Sequence, residues 1–357
     1  MVSAAFGPHA AQPGREGQTE ASPRSLAQAG LRCYRGDMRI LFVTSNRLGD
    51  AVLSTGLLDR LIHAHPDARI TVVCGAVAEG LFARMPNRER TLVLEKRPWG
   101  RHWLPLWAEM ATTRWDLVVD IRGSALAWLL PTRRRAIWRR RPGHKTAELA
   151  AILGFDPPPL PVTWTAAEDQ AVADRLLPPD RKVAMLAPSA NWAPKIWPAD
   201  RFAALFTALE NGALRGAVPA VIAGPGETER AMAAPLLAAL PNAIDLIGRL
   251  SLPEAAACLA RASLFVGNDS GLMHLAAAAG APTLGLFGPT DATTYAPAGR
   301  STFALVGPGR DMADISVESA LAAAEQLLSP LPLAGEGGAK WRVKDASQTE
   351  CAASPSR

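Results

Sequence analysis

The sequence predicts an α/β protein of two domains, each built on a parallel sheet, and three observations support this. The chain has 357 residues, two to three times the common domain size of roughly 100–150 residues. Hydrophobic residues make up 48% and charged residues 20%, which is enough apolar material for sizeable cores. Short apolar runs alternate with segments of helical spacing, a pattern typical of parallel sheets covered on both faces.

In the first half, β-branched and apolar runs predict strands at 39–44, 68–73 and 116–120, and helical spacing predicts a helix over 50–63. The proline-rich segment 156–161 can continue neither kind of element, so we read it as a linker. The alternation then restarts, with strands at 183–186, 219–223, 263–266 and 282–286. Helices are predicted near 199–209, 228–240, 253–261 and 270–279.

Four segments follow from this division. Residues 1–37 and 329–357 are aperiodic, so we expect a disordered extension and a disordered tail. Between them we expect an N-terminal Rossmann-like domain over 38–160 and a C-terminal one over 161–328. The extension lacks the apolar core of an ordinary secretory signal, and Met38, where the first folded element begins, is a candidate start of translation.

Charge and cysteine content exclude several classes of protein. The longest nearly uncharged run, 272–287, is too short and too interrupted for a transmembrane helix, so a soluble protein is predicted. The net charge of +5 is compatible with an anionic partner but does not specify one. The four cysteines lie far apart without a CxxC pair, which disfavours a disulfide framework or a zinc site and fits a reducing cytoplasm.

The strongest candidate site is the string Gly-Asn-Asp-Ser-Gly-Leu-Met-His at 267–274, between a predicted strand and a predicted helix. Ligands of open α/β sheets lie at the carboxyl ends of strands, where a helix N-terminus attracts phosphate through its dipole and free N–H groups. Ser270 adds a hydroxyl, and His274 lies one helical turn further along the same face. In the alternative interpretation, Asp269 or Ser270 only caps the helix and His274 is a partly buried side chain.

Three weaker candidates occupy similar strand-to-helix turns. The 189–198 loop carries Lys195, a point charge suited to a diphosphate, although most loop lysines are merely solvated. Asp50 is a candidate general base or, equally, an N-cap. Glu227 follows a Gly-Pro-Gly turn and is a candidate acceptor of ribose hydrogen bonds, or simply an acid favoured in the first turn of its helix.

The motifs that the sequence lacks are also informative. It has no GxGxxG opening a βαβ unit, no GxxxxGK[ST] and no GxSxG, which disfavours a dehydrogenase, a P-loop NTPase and an α/β-hydrolase. It has no Asp-x-Asp pair to hold a divalent metal between phosphates, so we predict no metal and no cofactor. A departing diphosphate would then depend on Lys195, backbone N–H groups and His274.

A basic run between Arg133 and Lys145 contains six arginines in nine positions, with no acidic residue among those nine. Such a density is unfavourable unless an anion meets it, and a phosphorylated saccharide or anionic lipid headgroups would do so. Nucleic acid is not expected, because the chain carries no motif for its recognition. Nearby, Trp99, Trp103 and Trp107 recur every four residues, which indicates core packing first and membrane-surface insertion second.

Several segments resemble the ADP-heptose:lipopolysaccharide heptosyltransferases of glycosyltransferase family 9. They are MRILFV and NRLGDAVLSTGLL within 38–58, SANWAPKIWP at 189–198, AGPGETER at 223–230 and VGNDSGLMHLAAAAGAPTLGLFGPTD at 266–291. The resemblance covers most of 38–328 and implies the GT-B fold, in which two Rossmann-like domains with parallel sheets face a central cleft. The nucleotide-sugar would bind the C-terminal domain and the acceptor the N-terminal domain.

The resemblance also implies roles for individual residues. Asp50 matches the catalytic base of the family and Lys195 its diphosphate-binding lysine. The other implied donor-binding residues lie in the turns of the C-terminal half: Ser189, Asn191, Gly224, Glu227, Asp269, Ser270, Gly271 and His274. At position 191 the family often has threonine or serine instead. The implied acceptor-binding residues are basic: Arg47, Arg122, Arg133, Arg134 and Arg135.

We therefore predict an inverting, metal-independent transferase that moves heptose from ADP-heptose to the lipopolysaccharide inner core. Its expected partners are the nucleotide-sugar donor, an anionic lipid-linked saccharide acceptor and, transiently, the inner-membrane surface. Its expected location is the cytoplasm, including the cytoplasmic face of that membrane. The alternatives are a GT-B transferase with another nucleotide-sugar donor, and a non-catalytic saccharide-binding protein on the same scaffold.

Overall fold

The structure, a computed structural model, describes residues 38–95, 98, 102–329 and 343–345. The predicted extension 1–37, Trp99 and most of the predicted tail lie outside the described residues. The described chain forms two parallel sheets, one of five strands and one of seven. The predicted two-sheet α/β architecture is therefore confirmed.

The first sheet has the strand order β3-β2-β1-β4-β5. Its strands are β1 (Arg39–Val43), β2 (Arg69–Cys74), β3 (Arg88–Val93), β4 (Trp115–Asp120) and β5 (Thr132–Ile137). Val43, at the end of β1, pairs with Val73 on one side and Asp120 on the other. The carboxyl ends of the three central strands therefore meet at one edge of this sheet.

Helices cover both faces of the first sheet. Helix α1 (Leu48–Ala64) and α4 (Lys145–Ala150) pack on one face, and α2 (Trp103–Ala111) and α3 (Leu126–Leu129) pack on the other. The apolar positions that predicted α1 are its buried ones, Leu57, Leu58 and Leu61 among them. Among the described residues, no helix combines the length and the apolar composition needed to cross a bilayer.

The second sheet has the strand order β12-β11-β10-β9-β6-β7-β8. Its strands are β6 (Val183–Ala187), β7 (Val218–Val221), β8 (Ile244–Asp245), β9 (Leu264–Asn268), β10 (Thr283–Phe287), β11 (Thr302–Val306) and β12 (Val343–Asp345). The helices that follow the linker are α5 (Ala167–Leu176), α6 (Ala199–Asn211), α7 (Glu227–Ala239), α8 (Leu252–Ala260), α9 (Gly271–Ala279), α10 (Ala292–Tyr295) and α11 (Val317–Leu328).

Two segments differ from what the sequence predicted. The expectation of a disordered tail over 329–357 is wrong for Val343–Asp345, which pairs in parallel with β11, because the edge of β11 offers unpaired backbone groups to any extended segment. The start of the arginine run forms β5, the edge strand of the first sheet. The segment 156–161 forms no helix or strand, as expected, and the chain then crosses α1, where Thr55 Oγ1 accepts a hydrogen bond from Val162 N at 2.8 Å.

Each sheet contains one point at which the order of strand addition reverses. In the first sheet it lies between β1 and β4, and in the second between β6 and β9. Ligands of open α/β sheets bind outside the carboxyl ends of strands at such points. Helix α1 of the first half packs against α9 of the second, so the two reversal points face one junction.

Candidate active site

The N-termini of α1 and α9 meet directly. A Cβ atom on Gly49 would lie 2.9 Å from His274 Cδ2, and a Cβ atom on Gly271 would lie 2.9 Å from the Leu48 side chain. Only glycine allows backbone and ring to approach this closely. Asp50 and the loop before α9 therefore line the same junction, from opposite halves of the molecule.

Asp50 is the third residue of α1 and not its N-cap. Arg47 occupies the N-cap position, and its side chain makes no capping hydrogen bond. The interpretation of Asp50 as a helix cap is therefore wrong. The carboxylate is partly exposed and accepts one long hydrogen bond from Ser45 Oγ at 3.4 Å. It retains acceptor capacity for a proton from a bound hydroxyl group.

Tyr295, in α10, provides a second indication that the two halves share one site. Burial raises the pKa of its phenol, and the negative charges of Asp50, Glu148 and Asp269 raise it further, whereas Arg47 lowers it. Carboxylates of the first and second halves thus act on the same group. The Tyr295 phenol therefore lies within electrostatic reach of acidic groups from both halves.

Lys195 and Asp269 form an ion pair across two loops of the second half. Lys195 Nζ lies 2.7 Å from Asp269 Oδ2, and the two side chains are only 17% and 9% exposed. The interpretation of Lys195 as an ordinary solvated lysine is therefore wrong. The pair joins the loop after β6 to the loop after β9, at the reversal point of the second sheet.

Asn268 fixes these two loops and was not singled out from the sequence. Its Oδ1 accepts a hydrogen bond from Trp197 N at 3.1 Å, and its Nδ2 donates one to Pro188 O at 2.8 Å. The side chain is fully buried. A polar residue at the buried end of a strand is the signal that could have identified it, because a buried amide needs hydrogen-bond partners.

The N-terminus of α9 offers several unused hydrogen-bonding groups. Ser270 holds the N-cap position, but its hydroxyl does not cap the helix, and within the described chain the buried Oγ atom has no partner. The same is true of His274 Nδ1. Burial lowers the pKa of His274 to about 4, although Asp269 opposes this, so the ring is neutral at pH 7. This terminus suits a phosphate group, with a hydroxyl and a neutral ring beside it.

The remaining predicted donor-binding residues lie in the turns after β6 and β7 and at the start of α7. Ser189 is buried, Asn191 is exposed, Gly224 is partly buried, and Glu227 is exposed as the first residue of α7. Sequence reasoning missed Glu229, whose Oε2 atom is buried and unpartnered within the described residues. A Cβ atom on Gly224 would lie 3.6 Å from Glu229 Cγ, so this acid, rather than Glu227, faces the turn after β7.

Arg122 connects the loop after β4 to the loop that carries Asp50. Its Nη1 donates a hydrogen bond to Asn46 Oδ1 at 2.9 Å, and its guanidinium lies 5.4 Å from the centre of the Trp103 ring. Burial lowers the pKa of Arg122, and the charge of Asp120 opposes that shift. Asp120 is fully buried and accepts a hydrogen bond from Arg122 N, which fixes the loop.

The structure does not bring all predicted acceptor-binding arginines together. Arg133 pairs with Asp116 at 3.1 Å near the amino ends of β4 and β5, at the opposite end of the sheet from Asp50. Arg135 donates hydrogen bonds to the carbonyl groups of Ala127 and Leu130, both at 2.8 Å. Arg133, Arg134 and Arg135 belong to the edge strand, whereas Arg122 and Arg47 lie beside the junction.

Comparison with known proteins identifies relatives over most of the chain. A profile of Glycosyltransferase family 9 (heptosyltransferase) matches residues 122–323. Lipopolysaccharide heptosyltransferase 1 of Salmonella typhimurium is 27% identical over 326 residues, covering 79% of this chain and 98% of the relative. The protein of the same name from Pseudomonas aeruginosa is 30% identical over 306 residues, covering 74% of this chain and 82% of the relative.

Solved structures share the architecture. A family 9 glycosyl transferase from Veillonella parvula superimposes with a TM-score of 0.70 at 23% identity, covering 82% of this chain and 97% of that one. The E. coli heptosyltransferase WaaC with ADP superimposes with a TM-score of 0.66 at 20% identity, covering 81% and 100%. These likenesses confirm the expected GT-B fold.

Proposed function

Since the chain belongs to glycosyltransferase family 9, we propose that it transfers heptose from ADP-heptose to the lipopolysaccharide inner core. The observation that carries this proposal is the pairing of Lys195 with Asp269 at the N-terminus of α9, opposite Asp50 of the other half. The curated relatives are named lipopolysaccharide heptosyltransferases, and solved neighbours hold ADP or ADP-2-deoxy-2-fluoro heptose. Both facts support this choice of donor and acceptor.

The donor diphosphate lies at the N-terminus of α9, where backbone N–H groups and the Ser270 hydroxyl donate hydrogen bonds to it. Lys195 supplies the positive charge, because its Nζ is already held at this end of the helix by Asp269. Ser189 and Asn191 border the phosphates, and the turn at Gly224 borders the nucleoside. No residue larger than glycine fits at position 271 without displacing Leu48.

Transfer is a single in-line displacement. The Asp50 carboxylate takes the proton of an acceptor hydroxyl group, and the oxygen of that hydroxyl attacks the anomeric carbon of the heptose. The bond from that carbon to the diphosphate breaks, and ADP leaves with the electron pair. Lys195 and the N-terminus of α9 stabilise the developing charge, and attack from the opposite face inverts the anomeric centre.

The acceptor is an anionic, lipid-linked saccharide, met at the cytoplasmic face of the inner membrane. Arg122 is the basic side chain best placed to hold it, because its guanidinium is fixed by Asn46 and Trp103 beside the Asp50 loop. Arg47, exposed at the start of α1, extends the same positive surface.

Substitution of the base tests the assignment. We expect Asp50→Asn to reduce transfer about 10²–10⁴-fold, the usual contribution of a general base, and to leave the Kd for ADP within about twofold because the diphosphate contacts are intact. Isothermal calorimetry with ADP and a transfer assay with ADP-heptose measure the two quantities. Asp67→Asn, an exposed control, should change neither. Normal turnover in Asp50→Asn would contradict the assignment.

The identity of the donor has its own test. We expect ADP to raise the Tm more than UDP, GDP or CDP at equal concentration, since a ligand that binds only the folded state stabilises it more the more tightly it binds. A larger shift with another nucleotide would favour the alternative of a GT-B transferase with a different donor.

A further inference from the structure

The face of the first sheet that bears α2 and α3 exposes an apolar patch, which we define as Leu104, Trp128 and Leu129. Their side chains are 70%, 61% and 65% exposed. Trp107 Nε1 donates a hydrogen bond to Leu129 O at 3.1 Å, which joins α2 to α3. This face lies opposite the one that bears α1.

An open basic pocket of about 320 Å³ adjoins the patch, and Trp128 lies in its wall. Arg135, Arg139 and Arg141 line the same pocket. Over the described part of the chain, the side chains of these three arginines form no ion pair, and Glu148 Oε1 accepts a hydrogen bond from Arg141 N at 3.0 Å. The hydrogen bonds from the Arg135 side chain go to neutral carbonyl groups, and Glu148, also in the wall, is paired with Lys145 at 2.7 Å. The pocket therefore carries uncompensated positive charge.

We propose that this face docks on the surface of an anionic phospholipid bilayer. Tryptophan and leucine side chains enter the boundary between headgroups and acyl chains, and the arginines meet the lipid phosphates. Apolar insertion alone or basic charge alone attaches a protein weakly to a membrane. The two together give an attachment that is stable but reversible. The uncompensated positive charge beside the patch is what favours a bilayer over an apolar protein partner.

The position of the patch relative to the candidate site supports this assignment, which rests on the proposed function because that function requires a lipid-linked acceptor. Leu104 follows Trp103, whose ring lies 5.4 Å from the Arg122 guanidinium. Arg122 is in turn hydrogen-bonded to Asn46, four residues before Asp50. Docking would therefore hold the sugar of a membrane-embedded acceptor beside the catalytic loop.

Co-sedimentation of the full chain with vesicles tests the proposal. We expect the protein to bind phosphatidylcholine vesicles containing 30% phosphatidylglycerol at least tenfold more tightly than pure phosphatidylcholine vesicles. The double variant Leu104→Ser/Leu129→Ser should lose about tenfold in affinity for the mixed vesicles, and Arg139→Gln/Arg141→Gln should lose a similar factor. Matched controls are Val77→Ser, an apolar residue that is 67% exposed on the other face, and Arg215→Gln, an exposed arginine of the second half.

The outcomes separate this proposal from the function on which it rests. Equal binding to both vesicle types, or patch variants that bind like the controls at unchanged Tm, would overturn it. A dimer in gel filtration that the double serine variant abolishes would overturn it too, because the patch would then meet a second copy. Leu104→Ser/Leu129→Ser should lose transfer to an acceptor embedded in mixed vesicles but keep transfer to the same acceptor dispersed in detergent. Failure of the unaltered protein with the detergent-dispersed acceptor would count against the proposed function alone.

Discussion

The Lys195 side chain is held in the site by Asp269, which lies 74 residues further along the chain. The Asp269 carboxylate holds its ammonium group at the N-terminus of α9, so the positive charge needs little rearrangement to meet a diphosphate. Preorganised charge of this kind is more effective than the same charge on a freely moving side chain. The lysine should therefore contribute both to nucleotide affinity and to departure of the leaving group.

Removal of that charge gives the first prediction at this scale. Lys195→Met should weaken ADP binding about 10–100-fold, the loss expected for one or two charge-assisted hydrogen bonds, and should lower turnover further. Calorimetry with ADP provides the measurement. Lys182→Met, at the opposite end of β6, serves as the control and should bind ADP normally. If Lys195→Met bound ADP with unaltered affinity, the assignment of Lys195 as a diphosphate-binding residue would be wrong.

Glu229 and Glu227 give a matched pair two residues apart. Glu229 carries a buried, unpartnered oxygen beside the turn at Gly224, whereas Glu227 is exposed. We expect Glu229→Gln to weaken ADP binding about five- to tenfold, because a ribose hydroxyl would lose a charged acceptor, and Glu227→Gln to change it less than twofold. If 2′-deoxy-ADP and ADP lose the same factor with Glu229→Gln, the lost contact is not to the 2′-hydroxyl. If Glu227→Gln weakened ADP binding more than Glu229→Gln, Glu227 would be the acceptor of the ribose hydrogen bond, as the sequence predicted.

Among the elements, the contact between α1 and α9 sets the geometry of the junction. Gly49→Ala would introduce a Cβ atom 2.9 Å from the buried His274 ring, so one helix must shift. We expect a destabilisation of about 1–3 kcal/mol, typical of overpacking, and a clear loss of transfer. Thermal unfolding and the transfer assay report the two effects.

The control for this contact also faces the second half. Gly80→Ala would place its Cβ atom 3.5 Å from Leu252, an ordinary van der Waals distance, and should be tolerated. Equal behaviour of the two alanine variants would mean that the close approach at Gly49 does not constrain the helices.

Elements with an apolar period could be predicted from the sequence, and those without one could not. Strands β1 and β6 and helix α1 bury the residues that predicted them. Strand β5, with three consecutive arginines, could not be found in this way. It is an edge strand whose extended form depends on pairing with β4 rather than on its own composition.

The residues of the candidate site likewise fall into two groups, those that could be predicted from the local sequence and those that depend on tertiary contacts. The strand-to-helix turns that carry Asp50 and Asp269 follow from local spacing, and the structure places both at one junction. The pairing of Lys195 with Asp269 and the inward position of Glu229 depend on tertiary contacts and on the phase of α7. No local pattern contains that information.

Across the whole molecule, the two sheets share one apolar cluster. Phe42 of the first sheet and Met185 of the second belong to the same group of buried side chains. His144 adds a polar contact between the halves, because its Nε2 lies 2.9 Å from Ala296 O while its Nδ1 accepts from Thr146 N. The halves therefore stabilise one another, and the ionisation of a side chain at their junction affects the stability of the entire fold.

His274 makes that stability dependent on pH. Burial lowers its pKa to about 4 in the folded protein from an ordinary value of 6.5, so the unfolded chain binds more protons between these values. Stability is therefore retained above pH 6.5 and falls as the pH drops toward 4. Burial also lowers the pKa of His144 and His65, which adds a loss of the same sign.

Between pH 7 and pH 5 we expect His274 alone to remove about 2 kcal/mol from the free energy of unfolding. Urea titrations at the two pH values measure this loss. His274→Asn should flatten the dependence by about that amount. A variant at position 274 with the full pH dependence would contradict this account.

Because Gly49 covers the His274 ring, the pKa of this imidazole depends on how closely the two lobes pack. The lobes cannot part without letting solvent reach the ring, and once hydrated it would titrate closer to pH 6.5. An NMR titration of this one histidine therefore reads out how far the cleft has opened. In the absence of nucleotide, each change that loosens the contact between the two halves should raise this midpoint toward 6.5.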